Sequence, residues 1–266
     1  MPDSSDSANT RHRLVGDERR QRIQDLLHRQ AIASLSEVMQ VTGASEATVR
    51  RDLVVLEREG FLARTRGGAR VIRQRTTLED EFTIRQSRDR REKRLIGQRA
   101  AELLSDGMTV FLNDGTSAYA LAQCIVRRRL TVVTSALNIA ELLAGCAGIE
   151  VLVIGGRLRD TSFGTTGPLA VNAIDVLHAD VAVVGADGIT LGGGVRAFSI
   201  DDAAVVQAMS ANASRTVVLA SPLKFGVDGR VRMVDWAQVD ELVTTSLPAE
   251  LSDGLEQIGV HVVVAT

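Results

Sequence analysis

Five consecutive residues, Asn113-Asp114-Gly115-Thr116-Ser117, carry the groups needed to hold an anion. They lie between an aliphatic run at 109–112 and a helix-like stretch near 117–127. Gly115 lets the backbone approach a ligand, and Thr116 and Ser117 offer hydroxyls. The next helix start supplies free N–H groups and a positive dipole. Thr134-Ser135-Ala136-Leu137-Asn138 repeats the strand–hydroxyl–helix order one unit later, with Thr134, Ser135 and Asn138 as donors. Lys224 follows the aliphatic run 216–220 and can reach an anion as a point charge; read otherwise, it is a surface lysine before the turn at Gly226. Asp187, in Gly185-Ala186-Asp187-Gly188, stands at another strand end as an acceptor for hydroxyls. Gly155-Gly156-Arg157 makes a further strand-end turn, where Arg157 either meets a phosphate or stays an exposed turn residue. Each hydroxyl loop taken alone reads equally as a helix cap with a turn glycine.

A second chemistry is written in the stretch SEATVRRDLVVLEREG, residues 45–60. With Val49, Leu53 and Leu56 facing inward, the exposed face of this helix carries Glu46, Ala47, Arg50 and Val54, flanked by Thr48 and Arg51. An arginine can fork onto a guanine edge, and Ser45 or Thr48 can bind phosphate or base. Arg64, Arg66 and Arg70 follow on a hairpin and can reach a nucleic-acid backbone or minor groove. The competing reading is a small helical bundle with a solvated basic face, in which Glu46 and Arg50 form an i, i+4 ion pair.

The elements that must position these groups fall into two textures. In the front third, Asp17 caps a helix over about 18–30 with Ile23, Leu26 and Leu27 on one face. A short extended piece, Ala31-Ile32-Ala33, follows. Ser34 or Ser36 opens a second helix that Gly43 stops. Ser45 caps a third over about 46–59, and two extended runs around Gly67-Gly68 make a hairpin. That order specifies a winged helix-turn-helix. After Gly107 short aliphatic runs recur at 109–112, 130–134, 150–154, 181–184, 216–220, 242–244 and 261–264, separated by helix-like stretches. Continuous apolar strands alternating with helices indicate a parallel sheet buried on both faces, an α/β doubly wound, mostly parallel architecture. Gly192-Gly193-Gly194 reads as a lid or a plain loop. The expected organisation is a flexible tail at 1–16, a winged domain at 17–73, a charge-rich linker at 74–94 with Phe82 and Ile84 as docking points, and an effector-binding and oligomerisation domain at 95–266.

Composition narrows the function classes. A length of 266 residues suggests two domains. Apolar residues at 45% allow a large core, and aromatic residues at 3% make it aliphatic. No apolar run is long enough to span a membrane, and the polar front end does not read as a secretory signal. Cys124 and Cys146 are the only cysteines and the four histidines are scattered, so neither a disulfide framework nor a metal site is expected, and the compartment reads as cytoplasm. Residues 1–94 hold 20 Lys+Arg against 15 Asp+Glu, whereas 95–266 hold 11 against 18. Only the front is therefore suited to a polyanion. Just two lysines stand against 29 arginines, which singles out each lysine for attention.

The run from Glu18 to Ala69, above all TVRRDLVVLEREGFLARTRGGA, closely resembles the DNA-binding domain of the DeoR family of bacterial repressors. FLNDGTSAYALA, TVVTSALNIAELL, VLVIGGRL, VVGADGI and VLASPLKFG resemble the same family's effector domain, which is similar in fold to ribose-5-phosphate isomerase. The resemblance implies a repressor of sugar metabolism genes that binds a double-stranded operator as a homodimer or homotetramer, is modulated by a phosphorylated sugar, and needs no cofactor. Two positions depart from the family: Arg66 replaces a usual histidine, and an Asp usual where Ala220 or Ser221 stands is missing. The alternative is a phosphosugar isomerase-like enzyme fused to a DNA-binding head; Gly188, where the isomerases have a second acid, argues against it, and no catalytic residue is assigned.

Overall fold

The computed structural model describes residues 16–30, 32–58, 61–65, 67–71 and 82–266. The expected tail therefore lies outside the described residues except for Gly16, as do Arg66 and the side chain of Arg70. The chain divides into two compact units, 1–74 and 75–266, each described by itself.

The first unit contains helix α1 (Gly16–Gln30), strand β1 (Ile32–Ser34), helices α2 (Leu35–Thr42) and α3 (Glu46–Arg58), and strands β2 (Leu62–Thr65) and β3 (Gly68–Val71). The strands form an antiparallel sheet in the order β1-β3-β2. Ser34 caps α2 through a capping box: the Glu37 N–H donates to Ser34 Oγ (3.3 Å), and the Ser34 N–H donates to the Glu37 carboxylate (2.7 Å). Gly43 ends α2 with a left-handed backbone, φ 66°, which a side chain would strain. Asp17, expected as a cap, instead lies in the first turn of α1 and pairs with Arg20. Ile23, Leu27, Val38, Val49, Leu56 and Leu62 close the core. Asp52 is buried and accepts from Arg19 Nη2 (3.0 Å), which ties α3 to α1.

The second unit opens with helix α4 (Phe82–Ser87) and helix α5 (Arg90–Glu102). Helix α4 lies wholly in the stretch expected to be a linker, whereas α5 starts at Arg90, where the apolar spacing of Ile96, Ala100, Leu103 and Leu104 calls for a helix. Strand β4 (Thr109–Leu112), helix α6 (Thr116–Ile125), strand β5 (Leu130–Thr134), helix α7 (Leu137–Leu143) and strand β6 (Ile149–Val153) follow. A small hairpin, β7 (Arg157–Leu158) and β8 (Thr165–Thr166), precedes helix α8 (Pro168–Asp175). Next come β9 (Val181–Gly185), β10 (Gly188–Thr190), β11 (Gly194–Ala197), helix α9 (Ile200–Ala211), β12 (Thr216–Leu219), β13 (Val231–Val234), β14 (Glu241–Thr244), helix α10 (Ala249–Ile258) and β15 (His261–Val264). Among the described residues no helix is long and apolar enough to cross a membrane.

Seven of these strands form one sheet, all parallel, in the order β15-β14-β12-β9-β4-β5-β6. Alternate residues feed two cores. Val110 and Leu112 pack with Ile96, Leu121 and Ile139 from α5, α6 and α7. Phe111 and Val184 pack with Ile174, Met209 and Leu255 from α8, α9 and α10. Burial on both faces is why the strands read as unbroken aliphatic runs. Gly192 and Gly193 lie between β10 and β11 and Gly194 opens β11; these two strands form an antiparallel sheet of their own with β13.

Candidate ligand cleft and nucleic-acid interface

The strand order places the cleft. From β4 the chain winds outward through β5 to β6; from β9 it winds the other way through β12, β14 and β15. The connections after β4 and β9 also go to opposite faces: α6 joins the core of α5 and α7, while β11 and α9 join that of α8 and α10. The connections that leave β4 and β9 therefore diverge and frame a crevice, the position where open α/β sheets hold ligands. Asn113 Oδ1 spans it by accepting from the Gly185 N–H (2.9 Å).

Asp114, Gly115, Thr116, Ser117, Asp187 and Lys224, all singled out from sequence, line this one cleft. Thr116 and Ser117 open α6, so the helix N-terminus faces the same space. Asp114 is buried, and its carboxylate packs against Gly164; a Cβ there would lie 2.3 Å from Asp114 Oδ2. Asp187 Oδ2 accepts from the Phe198 N–H (3.0 Å), and its Oδ1 lies 4.0 Å from Arg85 Nη1. Two charged lining residues were missed by sequence reasoning, as were the apolar Ala197 and Met233. Arg85 comes from α4, inside the expected linker, where Phe82 stacks edge-on against Tyr119 (5.7 Å) and Phe163 (5.8 Å). Asp202 comes from the first turn of α9. No loop motif marks either, because a residue reaching a cleft from a remote helix leaves no local signature.

Five expected ligand residues do not line the cleft. Thr134 Oγ1 donates to the Leu112 carbonyl (2.6 Å) and accepts from the Ala136 N–H (3.0 Å), which fastens the turn after β5. Ser135 is fully buried, and its carbonyl accepts from the Thr165 N–H (2.8 Å) of β8. Asn138 Oδ1 accepts from the Ile139 N–H of its own helix (2.9 Å). The physical reason is topological: α6 and α7 lie on the same face, so no crevice opens between β4 and β5, and β8 covers the β5 loop. Arg157 points to solvent and pairs with Asp201, while Gly156 packs against the Thr166 carbonyl.

Both lysines of the chain meet beside the cleft. Lys93 on α5 is buried, and its Nζ donates to the carbonyls of Arg88 (2.7 Å) and Arg85. Burial pushes its ammonium down to about 7; Asp89 opposes this, and Lys224, Arg85 and Arg88 reinforce it. Burial likewise lowers Lys224, against the pull of Asp187. Beside the position where the family's acid was expected, Ser221 Oγ donates to buried Asp89 Oδ2 (2.9 Å). Asp89 holds a left-handed backbone, φ 50°, which Asp tolerates better than most residues.

The depressed Lys93 has a signed consequence. Between pH 7 and its ordinary value of 10.5, the unfolded chain holds a proton that the folded chain has released, so this group makes stability rise with pH across that window. Urea unfolding at pH 7 and pH 8.5 should show about 1–2 kcal/mol more gain for the wild-type chain than for Lys93→Met. Equal pH slopes would mean that Lys93 stays charged in the folded protein.

In the first unit, Ser45, Glu46, Ala47, Arg50 and Arg51 are exposed along α3. Ser45 Oγ and Thr48 Oγ1 share a hydrogen bond (3.0 Å), and Arg50 Nε donates to Glu46 (2.8 Å). Arg64 donates to Glu57 from both its N–H (3.1 Å) and Nε (2.6 Å), so its side chain is held along α3. A groove between α3 and the wing is lined by Arg50, Leu53, Arg64, Thr65 and Gly67.

Two family models match the chain: a DeoR-like helix-turn-helix domain over residues 19–75 and a DeoR C terminal sensor domain over 88–246. The chain is 29% identical over 266 residues to the putative aga operon transcriptional repressor of Escherichia coli O157:H7, covering 98% of each. It is 30% identical over 252 residues to the HTH-type transcriptional repressor GlcR of Bacillus subtilis, covering 94% of this chain and 97% of the relative. With the glycerol-3-phosphate regulon repressor of Escherichia coli K12 the identity is 26% over 225 residues, 84% of this chain and 88% of the relative. Among solved structures, ribose 5 phosphate isomerase A from Neisseria gonorrhoeae aligns over 52% of this chain and 54% of its own at 14% identity, with a TM-score of 0.37.

Proposed function

Since the chain belongs to the DeoR family of transcriptional regulators, we propose that it is a repressor of sugar metabolism genes whose operator grip is released by a phosphorylated sugar bound between β4 and β9. The observation that carries this reading is the convergence of the α6 N-terminus with Thr116, Ser117, Lys224 and Arg85 on one crevice. The phosphate takes the helix N–H groups and hydroxyls, and Lys224 and Arg85 neutralise its charge. Asp187 takes sugar hydroxyls. Release requires the ligand to prefer the state with the weaker operator grip. The protein acts in the cytoplasm as a homodimer or homotetramer on paired half-sites, with neither cofactor nor catalysis. Titrating sugar phosphates against a preformed operator complex tests the reading; release by none of them would sink it.

On the operator, α3 enters the major groove, with Ser45, Glu46, Thr48, Arg50 and Arg51 at the bases and phosphates and Arg64, Arg66 and Arg70 at the wing. The Glu46–Arg50 pair is exposed, and such a pair contributes about 0.3–0.5 kcal/mol. A bidentate arginine–guanine contact is worth about 1–3 kcal/mol, so Arg50 leaves Glu46 for DNA. Arg50→Ala should cost about that much operator affinity at fixed salt, as read by fluorescence anisotropy. Unchanged affinity would remove Arg50 from the interface.

One observation favours the enzymatic alternative. The acid that Gly188 does not supply is supplied to the same cleft by Asp202. Incubation with ribose 5-phosphate, followed by assay for ribulose 5-phosphate, separates the two readings.

A further inference from the structure

Asp202 lines the cleft with one carboxylate oxygen bonded and the other without a partner among the described residues. The residue is 8% exposed, in the first turn of α9, and its N–H donates to the capping Ser199 Oγ (3.3 Å). Its Oδ2 accepts from Arg159 Nη1, from the turn between β7 and β8. Its Oδ1 is buried and accepts no hydrogen bond from any described residue. A buried acceptor left without a donor is destabilising, more so when it is charged. Asp187, the neighbouring lining acid, is differently placed, since its oxygens face the Phe198 N–H and Arg85. The cleft therefore gathers two cations, a helix N-terminus and an acid with one oxygen still without a donor among the described residues.

We propose that Asp202 Oδ1 receives a hydrogen bond from a donor on the carbon skeleton of the ligand, a hydroxyl or an ammonium, and so makes the cleft select such phosphate esters over bare phosphate. This rests on the cleft being a phosphorylated-sugar site, and it adds the reading of the ligand's non-phosphate part. The carboxylate repels a second anionic group and gains nothing from an apolar one, so bisphosphates and deoxygenated esters are disfavoured. Arg159 holds the acid in place from behind and acts on the ligand only through it.

Calorimetric titration of the full chain tests this with inorganic phosphate, ribose 5-phosphate, glucose 6-phosphate, glucosamine 6-phosphate and glycerol 3-phosphate as probes. In the wild-type chain the tightest ester should bind more strongly than inorganic phosphate. In Asp202→Asn the ratio of those two affinities should fall at least tenfold. A larger loss for glucosamine 6-phosphate than for glucose 6-phosphate identifies an ammonium donor; equal losses identify a hydroxyl. A ratio within twofold of wild type, or a wild-type chain that does not separate esters from inorganic phosphate, overturns the role of Asp202 and leaves the phosphate site standing. A wild-type chain that binds none of the five overturns both readings. Should Asp202→Asn fail to fold, because Arg159 loses its carboxylate, the pair Arg159→Gln and Asp202→Asn removes both charges and carries the same expectation.

Discussion

Lys224→Ala should weaken the sugar phosphate at least about tenfold and produce a repressor that stays on its operator. A hydrogen bond to a charged group contributes about 1.5–3 kcal/mol, and each 1.4 kcal/mol is a factor of ten in affinity. Lys224 stands at the upper end of that range for two reasons. It closes the short helical turn Pro222–Lys224 just past β12, so the backbone that carries it is already fixed. It is also partly withdrawn from water, which lowers its ammonium and strengthens any anion contact made there. Arg85 remains to hold Asp187, so the cleft keeps its wall when the ammonium is removed. Operator binding without inducer should persist, because α3 and the wing belong to the other unit. Calorimetry of wild type and variant, followed by inducer titration into each operator complex, gives the two readouts. Equal inducer affinity would make Lys224 a surface residue and move the phosphate site elsewhere.

The reach of sequence reasoning followed how local each signal was. The seven parallel strands were legible because each is buried on both faces and reads as an unbroken aliphatic run. The loop 113–117 was legible because glycine, hydroxyls and a helix start are adjacent in the chain. The same syntax at 134–138 stands outside the lining of this cleft. Whether a strand-end loop opens onto a crevice depends on which faces its flanking helices take, and that is fixed only when β9 inserts beside β4. Helix α4 has six residues, too few for apolar periodicity to show, and its anchor Phe82 is one aromatic in a charged stretch. Arg85 and Asp202 reach the cleft from elements on either side of the sheet strands that frame it, so no window contains them together with the residues they join.

Leu56→Ala should abolish operator binding while leaving the ligand site intact. Leu56 is fully buried among Ile23, Leu27, Val38, Val49 and Leu62, and neither core of the second unit includes any of these residues. Truncating a buried leucine to alanine costs about 2–5 kcal/mol. A unit this small rarely has more than about 3–5 kcal/mol of stability to lose. The winged unit should therefore unfold near physiological temperature, and α3 with it. The second unit has a seven-stranded sheet packed on both faces and should retain its melting transition, including any upward shift given by a bound sugar phosphate. Calorimetry should then show one transition moved down or missing and the other in place, with operator binding gone. Loss of both transitions together would mean that the two units fold as one cooperative body, and the separation of DNA reading from ligand sensing would have to be redrawn.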